Sequence, residues 1–296
     1  MLAALRRDGV RVTTVLLRDR RDAARLRELR ARVVLVDTIA ASLAAPHLEG
    51  LRAGGSEVVT LALMSHGALV LARRSDRVIA VSRALADELV AGGIDRWRIV
   101  VVPPGRDRIT PLAPRVGRVL CVANWTPGKG IHTLVAAVAR VPELSLDLVG
   151  DAPDPVYAAR VRRLIAARGL MSRVRVYGSL GRASLERRYA AASIFALPTI
   201  REGYPIVFVE ALAHGLPIVG SDIPAVLEVT GGAAILVAPG RVKPLAAALK
   251  TLVTDERLRH AFARRSAVRA RQLQTWAGSE AWFVRAVTSA RRRARL

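Results

Sequence analysis

Short runs of β-branched and other apolar residues alternate with longer Ala-, Arg- and Leu-rich segments of helical period along nearly the whole chain. This rhythm limits the fold more than any other feature, because strands separated by helices pair in parallel with the helices laid over the sheet faces. The first series of strand-like runs reads Val10 to Leu17, Val33 to Asp37, Glu57 to Leu63, Arg77 to Val81 and Ile99 to Val102. Pro103, Pro104, Gly105, Pro111 and Pro114 then interrupt the pattern in the manner of an interdomain linker. A second series starts at Arg118 to Ala123 and continues through Ser145 to Val149, Val174 to Tyr177, Ile194 to Leu197, Ile218 to Gly220 and Ala233 to Val237. The expectation is an α/β protein with two doubly wound, Rossmann-like domains. They occupy residues 1–104 and 118–273, joined by a linker at 105–117 and followed by a C-terminal helix and basic tail at 274–296.

The 296 residues suffice for two cores, and a hydrophobic fraction of 52% supplies the apolar surface to fill them. A formal charge of +23 raises a nucleic-acid reading, since basic proteins gain affinity by displacing counterions from phosphates. Two observations oppose it. Of the 47 basic residues only Lys129, Lys243 and Lys250 are lysines, an imbalance expected from arginine-rich codon usage. Trp, Tyr and Phe make up only 4% of the chain, and no basic stretch is interleaved with aromatics for base stacking. Nucleic acid is therefore not an expected partner. The tail Arg291-Arg292-Arg293-Ala294-Arg295 has two readings, attraction to an anionic membrane surface or plain solvation. Cys121, inside the apolar run Val119 to Ala123, reads as a buried structural thiol. No apolar stretch approaches the ~20 residues that cross a bilayer, and no signal-peptide pattern opens the chain. The expected location is cytoplasmic, with the inner face of the membrane as a candidate peripheral surface.

Two acids frame the most informative segment, Arg-Glu-Gly-Tyr-Pro-Ile-Val-Phe-Val-Glu-Ala-Leu-Ala-His-Gly-Leu-Pro-Ile-Val, at positions 202 and 210. Glu202 lies in a Gly-containing turn. Glu210 interrupts the apolar residues of a short helix that begins near Pro205, where a charge without a partner would be costly. Backbone N–H groups from about Gly203 to Val207 at that helix start form an anion site, and the carboxylates are acceptors suited to vicinal hydroxyls. A polyhydroxylated, phosphorylated ligand fits both halves. Upstream, Cys121 to Gly130 lies where a strand gives way to a helix, at the carboxyl edge where open α/β sheets hold ligands. Lys129 in that loop suits a diphosphate. The loop is not a Walker A, because Gly-x4-Gly-Lys-Ser/Thr is absent. Asn124 reads equally as a hydrogen-bond donor to phosphate or as a turn residue ending a strand. Ser82 reads as a helix cap, Asp222 and Glu228 as ligand-loop or capping residues, and His132 and His214 as packing or surface residues.

The framed segment resembles the Glu-x7-Glu signature of the retaining nucleotide-sugar glycosyltransferases of family 4, the group 1 glycosyltransferases, which have the two-domain GT-B fold. The likeness continues through Gly215-Leu216-Pro217-Ile218-Val219-Gly220-Ser221-Asp222, Glu228 and the run from Gly231 to Gly240. It extends back to Ser75-Asp76-Arg77-Val78-Ile79-Ala80-Val81-Ser82 and Val102-Pro103-Pro104-Gly105, so that it covers roughly residues 75 to 285. The resemblance implies transfer of a sugar from a nucleotide-diphosphate donor to an acceptor that it does not identify, whether glycan, lipid-linked or small molecule. It places Lys129 and Glu202 in the catalytic centre. Around the donor it places Asn124, Gly128, Gly203, Tyr204, Pro205, Ile206 and Glu210, with Glu202 near the sugar hydroxyls and Glu210 on the ribose. No metal and no other cofactor is implied. His66 is a candidate acceptor-side residue, with a structural role as the alternative. The family pattern carries Arg where this chain has Asn124, which weakens one contact to the leaving diphosphate. Residues Met1 to Val12 look like the end of the family's first helix running into its second strand. The N-terminal domain is accordingly expected to be incomplete, without its first strand and Gly-rich loop. Beside the enzyme stand two alternatives, a catalytically weakened or truncated nucleotide-sugar-binding homologue and a basic nucleic-acid module.

Overall fold

The structure, a computed structural model, describes residues 1–65, 67–106 and 117–289. The chain forms two compact units, one made of Met1–Asp107 and Gln274–Leu296 and the other of Arg108–Leu273. In the first unit, strands β1 (Val33–Asp37), β2 (Glu57–Ala62), β3 (Arg77–Ala80) and β4 (Ile99–Val101) form one parallel sheet in that order. Successive side chains of a strand point to opposite faces, and here each face has its own core. Val34, Val36 and Val58 pack with Leu48, Leu51 and Leu71 from helices Leu48–Ala53 and Ala68–Arg74. Their neighbours Val59 and Ile79 pack with Leu5, Val102 and three residues from the far end of the chain, Phe283, Ala286 and Val287. Ser82 does cap a helix: its Oγ accepts from the Leu85 N–H, at 3.0 Å, at the start of Arg83–Ala91.

One expectation is corrected here. Residues 10–17 are not a strand; among the described residues no strand pairs with them. The segment is extended, but Val10 and Val12 lie against the Val59/Ile79 face and Leu17 against the other core, so its apolar residues serve the sheet faces and leave its backbone outside the ladder. The expected C-terminal helix is present as Trp276–Thr288 and packs on the first unit. Phe283, Ala286 and Val287 form an apolar stripe that is buried only by covering the first sheet. Ser279 Oγ donates to the Pro103 carbonyl at 2.7 Å, and Arg77 donates to the Ala286 carbonyl at 2.6 Å. Gly105 is required where the chain leaves and re-enters this unit: a Cβ there would lie 2.3 Å from the Thr275 backbone, beside an Arg106–Thr275 bridge. Residues 107–116 of the expected linker and the arginine tail at 291–295 lie outside the described residues.

The second unit holds β5 (Arg118–Val122), β6 (Ser145–Val149), β7 (Val174–Val176), β8 (Ile194–Leu197), β9 (Ile218–Ser221) and β10 (Ala234–Val237). All are parallel, in the order β10-β9-β8-β5-β6-β7. The four inner strands are buried almost throughout and the edge strands β7 and β10 are partly exposed. That explains why the inner strands read as unbroken apolar runs in the sequence. The chain enters at β5, builds outward through β6 and β7, then returns to β8 on the other side of β5 and builds outward again. This is the doubly wound dinucleotide-binding order, in which the strand direction of growth reverses between the two central strands. The helix that follows β6 is capped locally: Asp154 accepts from the Tyr157 N–H at 2.9 Å ahead of Pro155–Ala167, whose Tyr157, Ala158, Val161 and Ile165 form the buried face.

Candidate functional site

In an open sheet of this order the loops following the two central strands diverge, one to each face, and leave a crevice between them. Here those strands are β5 and β8, paired through Val119–Ile194 and Leu120–Phe195. The loop after β5 carries Asn124 to Gly130, and the loop after β8 carries Pro198 to Pro205. The two loops are tied together directly. The Gly128 carbonyl accepts from the Ile200 N–H at 2.8 Å and from Thr199 Oγ1 at 3.1 Å. Gly130, at φ +66°, brings its backbone so close to Pro198 that a Cβ would sit 2.2 Å from that carbonyl oxygen. The outcome is an ion pair between residues 73 apart in sequence, with Lys129 Nζ 2.6 Å from Glu202 Oε1. Glu202 keeps 9% of its side chain exposed and Lys129 keeps 28%, so the pair is sheltered but open on the lysine side.

Glu210 belongs to a different set of contacts. It lies on helix Ile206–Ala213, and its Oε2 accepts from the Tyr189 hydroxyl at 2.8 Å. The Tyr189 ring stacks on His214, with centroids 4.9 Å apart and planes 7° from parallel, and is flanked by Phe195 at 6.1 Å. His214 Nε2 in turn lies 2.9 Å from Glu186 Oε2. Burial pushes the Glu210 carboxyl above the ordinary glutamate range; the Tyr189 hydrogen bond and Arg182 pull it back down, and Glu186 raises it. Burial, reinforced by Glu210, pushes the Tyr189 phenol well above its ordinary value, so it is a permanent O–H donor. The helix begins next to Pro205, as expected, but the anion site expected at its start needs correction. Pro205 is the N-cap of a helix that begins at Ile206, and as a proline it contributes no N–H. The Ile206 N–H already donates to the Tyr204 carbonyl at 2.9 Å. The string of amides expected from Gly203 to Val207 is therefore shorter than the sequence implied.

Of the remaining residues singled out in the sequence, Asn124 is exposed just beyond the end of β5, its carbonyl accepting from the Thr126 N–H at 2.9 Å. Gly128 is exposed in the same loop, and Gly203, Tyr204 and Pro205 occupy the turn between Glu202 and the helix. His66 lies outside the described residues. Cys121 is buried, its thiol pushed up to about 12 by burial against the lowering effect of Lys129, as an inert structural cysteine requires. His132 packs on Tyr157, with Nδ1 2.9 Å from the hydroxyl, and burial lowers its basicity. Asp222 does not cap the next helix, Pro224–Thr230, whose N-cap is Ile223 without a side-chain bond. Thr199, Gly130 and Tyr189, which hold the acids and the lysine in place, escaped the sequence reading. Gly130 carried a signal, a glycine immediately before an apolar helix, but its partner Pro198 is visible only in three dimensions. Among the described residues no group of three or more His, Cys, Asp or Glu is placed to hold a metal, and no helix is long and apolar enough to cross a membrane.

A parallel sheet in each unit, the second in dinucleotide-binding order with a lysine–carboxylate pair at its switch point, defines a protein of the GT-B class. Solved structures agree on the fold. Anabaena HepE in complex with UDP and glucose superposes with a TM-score of 0.80 at 22% identity, over 91% of this chain and 81% of that one. A glycosyltransferase from Rickettsia africae superposes with a TM-score of 0.74 at 15% identity, over 99% of this chain and 88% of that one. The sequence family described as "Glycosyl transferases group 1" matches residues 117–255, and "Glycosyltransferase Family 4" matches residues 47–108. The chain belongs to the group 1, family 4 glycosyltransferases. Among curated relatives, the D-inositol 3-phosphate glycosyltransferase of Kineococcus radiotolerans is 30% identical over 243 residues, 70% of this chain and 56% of that protein. The MMP alpha-(1->4)-mannosyltransferase of Mycolicibacterium hassiacum is 32% identical over 200 residues, 63% of this chain and 47% of its own length. The chain thus spans about half the length of the curated relatives it matches.

Proposed function

We propose that this protein transfers a sugar, with retention of anomeric configuration, from a nucleotide-diphosphate donor to an acceptor hydroxyl. The observation that carries the reading is the Lys129–Glu202 pair, 2.6 Å apart, set by two tied loops at the switch point of the second sheet. With a donor in that crevice, Lys129 faces the diphosphate and neutralises charge that grows on its oxygen as the bond to the anomeric carbon breaks. Glu202 accepts hydrogen bonds from hydroxyls of the donor sugar and keeps the ammonium from swinging away. Glu210 accepts from the ribose hydroxyls. The acceptor hydroxyl forms its bond to the anomeric carbon on the face that the diphosphate leaves, and its proton passes to the departing diphosphate. The products are a glycoside and a nucleoside diphosphate; in this reading no metal is needed, and Asn124 and Gly128 lie along the diphosphate side.

Release of nucleoside diphosphate from UDP-, GDP- and ADP-sugars tests this, with UDP first because HepE was crystallised with it. Turnover that falls at least tenfold in Lys129→Ala and Glu202→Ala supports the assignment, and turnover unchanged from wild type in both variants refutes it. A second reading, a nucleotide-sugar-binding homologue of weakened activity, rests on Asn124 standing where the family pattern carries Arg. Tight binding of a nucleotide sugar without any turnover by wild-type protein favours it. The arginine tail at 291–295 supports a peripheral association with anionic lipid, which sedimentation with phosphatidylserine vesicles at low and high salt tests.

A further inference from the structure

We propose that Tyr189 is a positioning residue for Glu210, an inference that rests on reading the second unit as a nucleotide-sugar site. The ring of Tyr189 has no freedom of its own. It is 1% exposed, stacked on His214 and flanked by Phe195, which itself meets Phe208 edge-on at 5.2 Å. Its hydroxyl donates to Glu210 Oε2 at 2.8 Å and lies 3.3 Å from the Val207 carbonyl of the same helix. One rigid hydroxyl thus sits against two groups about one turn apart on the helix that carries Glu210.

The consequence follows from what a carboxylate can accept. Its two oxygens offer about four acceptor directions, and a carboxylate on a flexible stem spreads them over several rotamers. Fixing Oε2 removes that spread before any ligand arrives and directs the remaining acceptor sites, so a ligand presenting two neighbouring hydroxyls does not have to order the side chain itself. Ordering of this kind matters more here than at an exposed acid, because Glu210 is largely covered and an alternative rotamer would have to find another donor in a protein interior. The same contact also satisfies a carboxylate that sits among Phe208, Val209, Ala211 and Leu212, all buried on this helix. His214 enters as the plate behind the ring, four residues after Glu210 and so one turn further along the helix.

A ligand cycle separates positioning from mere support. The Kd of the tightest of UDP, GDP and ADP, and of its 2′,3′-dideoxy counterpart, is measured by calorimetry for wild-type protein, Tyr189→Phe, Glu210→Ala and the double variant. The proposal expects Tyr189→Phe to weaken the ribonucleotide about tenfold, the size of one hydrogen bond to a charged group, and the dideoxynucleotide hardly at all. In the Glu210→Ala background the second substitution is expected to have no further effect. Equal weakening of both nucleotides would mean that Tyr189 only supports the fold, and unchanged affinity for both would mean that Glu210 needs no positioning; either result overturns the inference. Failure of wild-type protein to bind any of the three nucleotides removes the donor-site reading itself, a different outcome from either of these.

Discussion

Removing Lys129 and removing Glu202 should have unequal effects on stability, because the two members of the pair are covered to different degrees. Lys129→Ala leaves a carboxylate with 9% of its side chain exposed, whereas Glu202→Ala leaves an ammonium with 28% exposed on a long stem that reaches water. A fully exposed pair contributes about 0–1 kcal/mol, and breaking a fully buried one costs about 3–5 kcal/mol. Lys129→Ala belongs between these limits, at about 2 kcal/mol, and Glu202→Ala nearer the lower one, at about 1 kcal/mol. For a domain of this size that corresponds to a fall in melting temperature of roughly 4–8 °C against roughly 2–4 °C. Lys129→Met with Glu202→Gln, which removes both charges and keeps the shape, should recover most of the loss. Catalysis should order the variants differently. Loss of the lysine removes a charge that acts on the transition state, a change on the order of a hundredfold in turnover, and the neutral double variant should not regain it. Calorimetric melts together with initial rates of nucleoside diphosphate release provide both readings. Greater destabilisation by Glu202→Ala than by Lys129→Ala, or a neutral double variant that regains activity as well as stability, would refute these roles for the pair.

Three further outcomes are expected. Gly130→Ala combines a left-handed backbone position with a Cβ 2.2 Å from the Pro198 carbonyl, so it should cost 3 kcal/mol or more and part Lys129 from Glu202; a melt within about 2 °C of wild type would contradict the tied-loop geometry. Glu210 titrates above the ordinary glutamate range because of burial, so its ionisation removes stability as the pH rises from the ordinary value through the folded one, the folded protein holding that proton more tightly. Nucleotide affinity should run the other way, falling as the carboxylate is protonated, and Tyr189→Phe, which removes a downward influence, should shift that fall to higher pH when binding is followed across a pH series. Phe283→Ala, at a site 1% exposed under the first sheet, should destabilise the first unit by about 3–5 kcal/mol in urea; a loss below 1 kcal/mol would show that the last helix does not close that core.

Most of the element pattern was legible because it depends on local physics. In the second unit the inner strands are buried on both faces, so each shows as an apolar run, and β6 and β8 fall where the sequence puts them, Ser145–Val149 and Ile194–Leu197. Ser82 could be read as a cap because a cap acts within three residues of itself. Residues 10–17 show the limit of that reasoning. Alternating valines specify an extended backbone, but a strand exists only beside a partner, and no local signal says whether one is there.

The candidate site divides in the same way. Residue chemistry singled out Lys129 and Glu210, because a lysine in an arginine-rich chain and a carboxylate inside an apolar helix are each anomalous without a role, while Glu202 was marked by the Glu-x7-Glu resemblance. The contacts between them could not be read from the chain. Lys129 reaches Glu202 because β5 and β8 are neighbours in a sheet whose order reverses between them, and because Gly130 and Thr199 draw together loops distant in the chain. Glu210 meets Tyr189 rather than that pair, and the helix Trp276–Thr288 closes a core laid down by the first hundred residues. Sequence determined which backbone conformations and which charges this protein has. Strand order and side-chain packing, which depend on contacts distant in the chain, decided which of those charges face one another.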